Sequence, residues 1–88
     1  MDEADLLRQF GRRVRQLRGE RSVTQEELAH RMGRTVEMVS KIERGRVWVS
    51  FKTLCRISTA LAVEPVELFR FDELAVPESP FEAPGLPR

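Results

Sequence analysis

The sequence predicts an all-α domain of five short helices followed by a proline-rich C-terminal tail. Three observations carry that expectation. Apolar residues recur at intervals of three and four, capping residues stand at the head of successive recurrences, and no stretch alternates as a strand does. Eighty-eight residues leave room for one folded unit, since compact domains run to roughly 100–150 residues. The expected division is a domain over residues 1–72 and an acidic, proline-rich tail over 73–88.

Leu6, Leu7, Phe10, Val14 and Leu17 draw one apolar stripe and predict a first helix from about 4 to 19. Its other face carries Arg8, Arg12, Arg13, Arg15 and Arg18, and residues 19–22 read as a break. Thr24-Gln25-Glu26-Glu27 fits a capping box and opens the second helix. Leu28, Ala29 and Met32 form its inner side, and Gly33 ends it by turning the chain through positive φ. Thr35 caps a third helix whose Val39 and Ile42 point inward and which Arg44-Gly45 closes. Ser50 caps a fourth, with Leu54, Ile57 and Leu61 on one side. Glu64-Pro65 opens a fifth, because proline suits the first helical position. Past Asp72, Pro77, Pro80, Pro84 and Pro87 forbid a continuous helix.

With 41% hydrophobic and 33% charged residues, the chain holds enough apolar material for a small core. One cysteine, Cys55, and one histidine, His30, supply neither an intrachain disulfide nor a zinc cluster, so no metal or cofactor is expected. No apolar run approaches the roughly 18–20 residues of a membrane span, and Asp2, Glu3 and Asp5 do not suit a signal peptide. A cytoplasmic, membrane-free chain is the expectation. The net charge of +1 conceals a division: residues 1–63 carry +5 and residues 64–88 carry −4. The basic part suits an anionic partner, although a segregated charge is also compatible with a solvated surface.

Two short helices joined through Gly33, the second with an outward polar stripe, meet the physical demands of a helix-turn-helix reader of the DNA major groove. If Val39 and Ile42 face inward, Val36, Ser40 and Arg44 form one outer row, with Glu37 and Lys41 beside it. Thr24-Gln25-Glu26-Glu27-Leu28-Ala29, Gly33, Ser40-Lys41-Ile42-Glu43-Arg44-Gly45, Ser50, Leu54 and Ala60-Leu61-Ala62-Val63 together resemble the phage repressor and Cro type of regulator, the Xre family. The resemblance covers about residues 6–70. It implies a five-helix, lambda-repressor-like fold that binds double-stranded operator DNA as a homodimer.

Carried over by position, the resemblance makes Thr24 and Gln25 contacts at the start of the second helix, with Gln25 on the DNA backbone and in reach of a base edge. Thr35, Val36, Glu37 and Lys41 match positions that approach bases, and Ser40 lies in the outer row with them. Lys41 suits guanine O6/N7, Val36 a thymine methyl, and Glu37 a cytosine N4 while repelling phosphate. Arg44, Arg46 and the amides near Ser50 and Phe51 match phosphate contacts, although Arg46 also reads as a solvated loop charge. Arg18 and Glu43 match a pair bridging the first helix to the end of the third, read here as structural rather than specificity-determining.

Trp48 has three readings: core packing, which is the default for an aromatic ring, the DNA flank, or a dimer contact. Cys55 reads as a packing residue of the fourth helix and His30 as a surface residue. Leu68, Phe69, Phe71, Leu74 and Val76 crowd the domain's end, and either a twofold dimer contact or a folded-back tail would cover them. Phe81, amid Glu78, Ser79, Pro80 and Glu82, reads as a short protein-docking motif or as part of an unstructured tail.

The leading function is therefore a sequence-specific transcriptional regulator on a palindromic operator. The compact size suits a phage-type repressor, a restriction-modification controller or an antitoxin, and Arg44-Gly45-Arg46-Val47 followed by Val49-Ser50 leans toward the controllers. The alternative is a protein-interaction module on the same fold, motivated by Val36, Glu37 and Met38. An enzyme is not expected, since the chain has neither a phosphate-binding glycine loop nor a nucleophile with a base beside it.

Overall fold

A computed structural model describes residues 1–71. Four α-helices follow in order, α1 (Glu3–Glu20), α2 (Gln25–Met32), α3 (Val36–Glu43) and α4 (Phe51–Leu61), and then a 3-10 helix, Pro65–Phe69. The boundary expected after residue 72, together with Leu74, Val76 and Phe81, lies outside the described residues.

Side-chain caps open all four α-helices. Asp2 accepts from the Asp5 amide at 2.9 Å, and this bond holds the Asp2 carboxyl below its ordinary pKa. Thr24 and Glu27 complete a reciprocal capping box, at 3.0 and 2.8 Å. Thr35 accepts from the Met38 amide and Ser50 from the Thr53 amide, each at 3.1 Å. The helix ends share a left-handed residue, at Ser22, Gly33, Gly45 and Ala62, after which the next amide reaches back to a carbonyl of the last turn.

The fifth helix expected from Glu64-Pro65 is a 3-10 turn rather than an α-helix. The chain becomes extended at Arg70, and five residues close only i→i+3 bonds such as Glu67 N–H to Glu64 O, at 2.9 Å. The turn nonetheless delivers Leu68 into the core.

That core gathers Val14 and Leu17 of α1, Leu28 and Met32 of α2, Val39 and Ile42 of α3, Ile57 and Leu61 of α4, and Leu68. Helix α3 packs between α1 and α2, and α4 packs on α2. Two arginines tie the last turn of α2 to α4: Arg31 donates to Ala60 O at 3.0 Å and Arg56 to Met32 O at 2.9 Å. Arg13, expected on the solvent face of the first helix, is instead buried. Its guanidinium clamps the 3-10 turn by donating to the Glu67 carbonyl at 2.7 Å and the Glu67 carboxylate at 3.1 Å, which lets a charge sit inside with its donors used.

Candidate nucleic-acid interface

On α3, Val39, Ile42 and Glu43 are buried, and the opposite side is open. Val36, Glu37 and Arg44 are exposed, while Ser40 and Lys41 are half-buried on the same outer side. Met38 is half-buried and packs on the core, so it does not belong to the outer surface. The Lys41 ammonium stands 3.8 Å from the Glu37 carboxylate, one helical turn away. Arg44 turns its Nε back to Ser40 O at 3.3 Å.

The outer side of α3 continues into a cleft against the start of α2 and the last turns of α1. Arg15, Arg18, Thr24, Gln25, Ser40, Glu43 and Arg44 line it. At its floor Glu43 binds Arg18 through both carboxylate oxygens, at 2.7 Å to Nε and 3.0 Å to Nη2. The hydrogen bond to Glu43 raises the Arg18 guanidinium above its ordinary pKa, against the opposing effect of burial. Arg18 also donates to Val23 O at 3.0 Å. Gln25 donates its Nε2 to Glu43 at 3.0 Å, which commits one end of its amide inward and leaves its oxygen free of that bond. The resemblance alone did not foresee this inward tie.

Arg15, which the sequence presents only as part of a basic face, joins this cleft. It is exposed and lines the cleft, and its position three before Arg18 already placed the two side by side on one helix face. Thr35 and Ser50 are exposed and spend their side chains as caps, leaving backbone amides at the heads of α3 and α4. Arg46 is exposed in the loop after α3.

Several expectations are corrected. Trp48 is 71% exposed rather than in the core, and beside it Phe51 is 85% exposed. The loop between α3 and α4 buries Val47 and Val49 only partly and turns the intervening ring outward. Cys55 is exposed because Ile57, Ser58 and Leu61 take the inner side of α4. Leu68 is 0% exposed, so it is unavailable to a dimer contact. Phe69 remains 43% exposed, stacked at 5.3 Å on Phe10, with Phe71 half-buried 6.3 Å beyond it. Together Leu6, Leu7, Phe10, Trp48, Val49, Phe51, Leu54 and Phe69 line an apolar groove. His30 is at the surface.

Among the described residues no helix is long and apolar enough to cross a membrane, and no group of three or more His, Cys, Asp or Glu side chains is placed to hold a metal ion.

A helix-turn-helix domain family matches residues 9–71. The chain is 44% identical over 62 residues to an uncharacterised transcriptional regulator in the ATPase CF(0) region of Rhodospirillum rubrum, spanning 70% of this chain but only 56% of that protein. It is 41% identical over 63 residues to the control protein C.BamHI of Bacillus amyloliquefaciens, across 70% of this chain and 78% of that one. The crystal structure of the restriction-modification controller protein C.AhdI from Aeromonas hydrophila superposes with a TM-score of 0.75 at 39% identity, covering 78% of this chain and all of that one. With α2, the Gly33 turn and α3 in the arrangement that the motif requires, the chain belongs to the helix-turn-helix domain family, as an Xre-type regulator.

Proposed function

We propose that the chain binds a palindromic operator as a homodimer and regulates transcription from it, in the manner of a restriction-modification controller. The observation that carries this reading is the continuous outer surface of α3 and the cleft beside it, which offers Val36, Glu37, Ser40 and Lys41 to bases and Arg15, Thr24 and Arg44 to phosphates. Gln25, held by Glu43, lines the cleft at the head of α2. Thr35 would lie at the entry to the groove, and Arg46 with the α4 amides behind Ser50 would grip the backbone beyond it. Residues 1–72 are the DNA-binding domain in this reading, and 73–88 an acidic appendage open to a protein partner. Similarity to C.AhdI and C.BamHI supports the controller subtype.

The second copy is expected on the apolar groove, where Phe69 is joined by Trp48 and Phe51 in place of Leu68, with Phe71 next to Phe69. A contiguous exposed apolar patch is unusual on a monomer, and a twofold contact buries the same patch on both copies. The protein-interaction alternative loses part of its motive, since Met38 faces the core.

Selection from a random duplex library, followed by titration of the enriched site at two salt concentrations, tests the reading. The expected outcome is a palindromic site with half-sites about one helical turn apart. Lys41→Ala should weaken that site more than random duplex. Arg44→Ala should weaken both and flatten the salt dependence by about one unit of slope. No enrichment, with equally weak binding to every duplex, would overturn operator recognition.

A further inference from the structure

Glu37 is an unusual residue for a surface offered to DNA, because a lone carboxylate is repelled by phosphate. It is not alone here. The Lys41 ammonium lies 3.8 Å from its Oε2, both groups are on the outer side of α3, and Glu37 is the more open of the two, with 76% of its side chain exposed against 45%. As a stabilising pair this contact is worth little. Its significance is that an acceptor and a donor are presented together, about 4 Å apart, on the surface that enters the groove. Val36 beside them has no polar group to offer a base edge, and Arg44 lies one turn beyond Ser40, toward which its Nε is turned.

The major-groove edge of a G·C pair shows two acceptors, guanine N7 and O6, and then one donor, the cytosine N4 amino group. An A·T pair shows its donor, adenine N6, between two acceptors, adenine N7 and thymine O4. A carboxylate aimed at the A·T donor meets a repelling acceptor on each side. On G·C it meets the donor at the end of the row, while the ammonium beside it has both acceptors to itself.

We propose that Glu37 and Lys41 act as one unit that reads a single G·C base pair in each half-site, Lys41 donating to guanine O6/N7 and Glu37 accepting from N4 of the paired cytosine. The proposal rests on the operator reading above. It also gives the carboxylate a discriminating role, since Glu37 disfavours any duplex that lacks the amino group in that place.

The test is duplex selection with the wild type, Glu37→Gln and Lys41→Met, each checked for helicity by circular dichroism. Glu37 is exposed and Lys41 half-buried on the outer side of α3, away from the core, so the fold is expected to persist. The wild type should fix one G·C pair per half-site. Lys41→Met should release it, and Glu37→Gln should shift the position toward A·T, because glutamine pairs with adenine N6/N7. In titrations of the wild type, replacing that pair by inosine·cytosine, which keeps N7, O6 and N4, should leave affinity within about twofold. Replacing it by A·T should weaken binding by about tenfold or more. A Glu37→Gln pool with the same base fixed, or inosine·cytosine bound as poorly as A·T, would overturn the proposal while operator recognition stands. Failure of the wild type to enrich any site would instead remove the operator reading itself, and the proposal with it.

Discussion

Glu43 accepts from two side chains on different elements, Arg18 at 2.7 and 3.0 Å and Gln25 at 3.0 Å, and its own side chain is only 4% exposed. A carboxylate so placed depends on its partners, since water cannot replace them. Arg18→Ala leaves Gln25 as the remaining partner among these and also strips the Val23 carbonyl of a donor. The expected loss is about 3–5 kcal/mol, a large fraction of the roughly 5–15 kcal/mol available to a native domain. Urea unfolding should show a lower midpoint with an unchanged slope. Arg18→Lys should recover only part of it, because one ammonium cannot engage both carboxylate oxygens as the guanidinium fork does. The exposed Arg8–Asp5 pair is the control: Arg8→Ala should alter stability by no more than about 1 kcal/mol. A loss at Arg18 as small as that at Arg8 would show that the Glu43 network does not hold α3 to α1.

Among the glycines of the described residues, Gly11 leaves least room for a side chain, where α1 meets the end of α3. A methyl group there would lie 2.6 Å from the Glu43 carbonyl oxygen, 2.8 Å from its carbon, and nearer still to the Ile42 carbonyl oxygen. These are helix backbone atoms that cannot step aside, so Gly11→Ala should destabilise by at least about 1–3 kcal/mol and push α3 away from α1. Thermal unfolding would show the loss, and affinity for the selected operator should fall with it. The opposite sign is expected at Ala62, which ends α4 with φ +57°. Ala62→Gly removes the left-handed strain and should stabilise by about 1 kcal/mol, a rise of about 4–8 °C in a domain of this size. An unchanged midpoint would mean that the strain is relieved elsewhere. These two positions also show where sequence reading stops. Thr24, Thr35, Ser50, Gly33 and Gly45 announce helix ends because capping is chemistry within four or five residues. Gly11 inside a helical stripe carries no such local signal, and Arg13 looked solvent-facing because its partner, Glu67, is 54 residues away. Leu68 and Phe69 were grouped as neighbours in sequence, but a 3-10 turn of five residues sends the first into the core and leaves the second at the surface.

Across the whole molecule, polar and apolar work fall on different surfaces. The α3 face and its cleft hold the charged side chains, and the groove from Leu6 to Phe69 holds aromatic ones. The open face of α3 was legible because its residues sit at fixed helical offsets from buried Val39 and Ile42. The apolar groove was legible only in part, since an aromatic side chain in a sequence signals burial without saying against what, and Trp48 and Phe51 are left uncovered by the described residues. If a second copy covers them, Phe51→Glu should separate association from folding. Position 51 is the first residue of α4, where a negative charge favours the helix dipole, so helicity should be retained. Sedimentation velocity should then give a monomer where the wild type gives a dimer; the readout is mass and not DNA affinity, because a carboxylate at the head of α4 would also repel the phosphate assigned to its amides. A dimer mass that survives Phe51→Glu would move the twofold contact off this groove. Loss of helicity would make the Phe51 ring part of the fold, a role at odds with a side chain left 85% open.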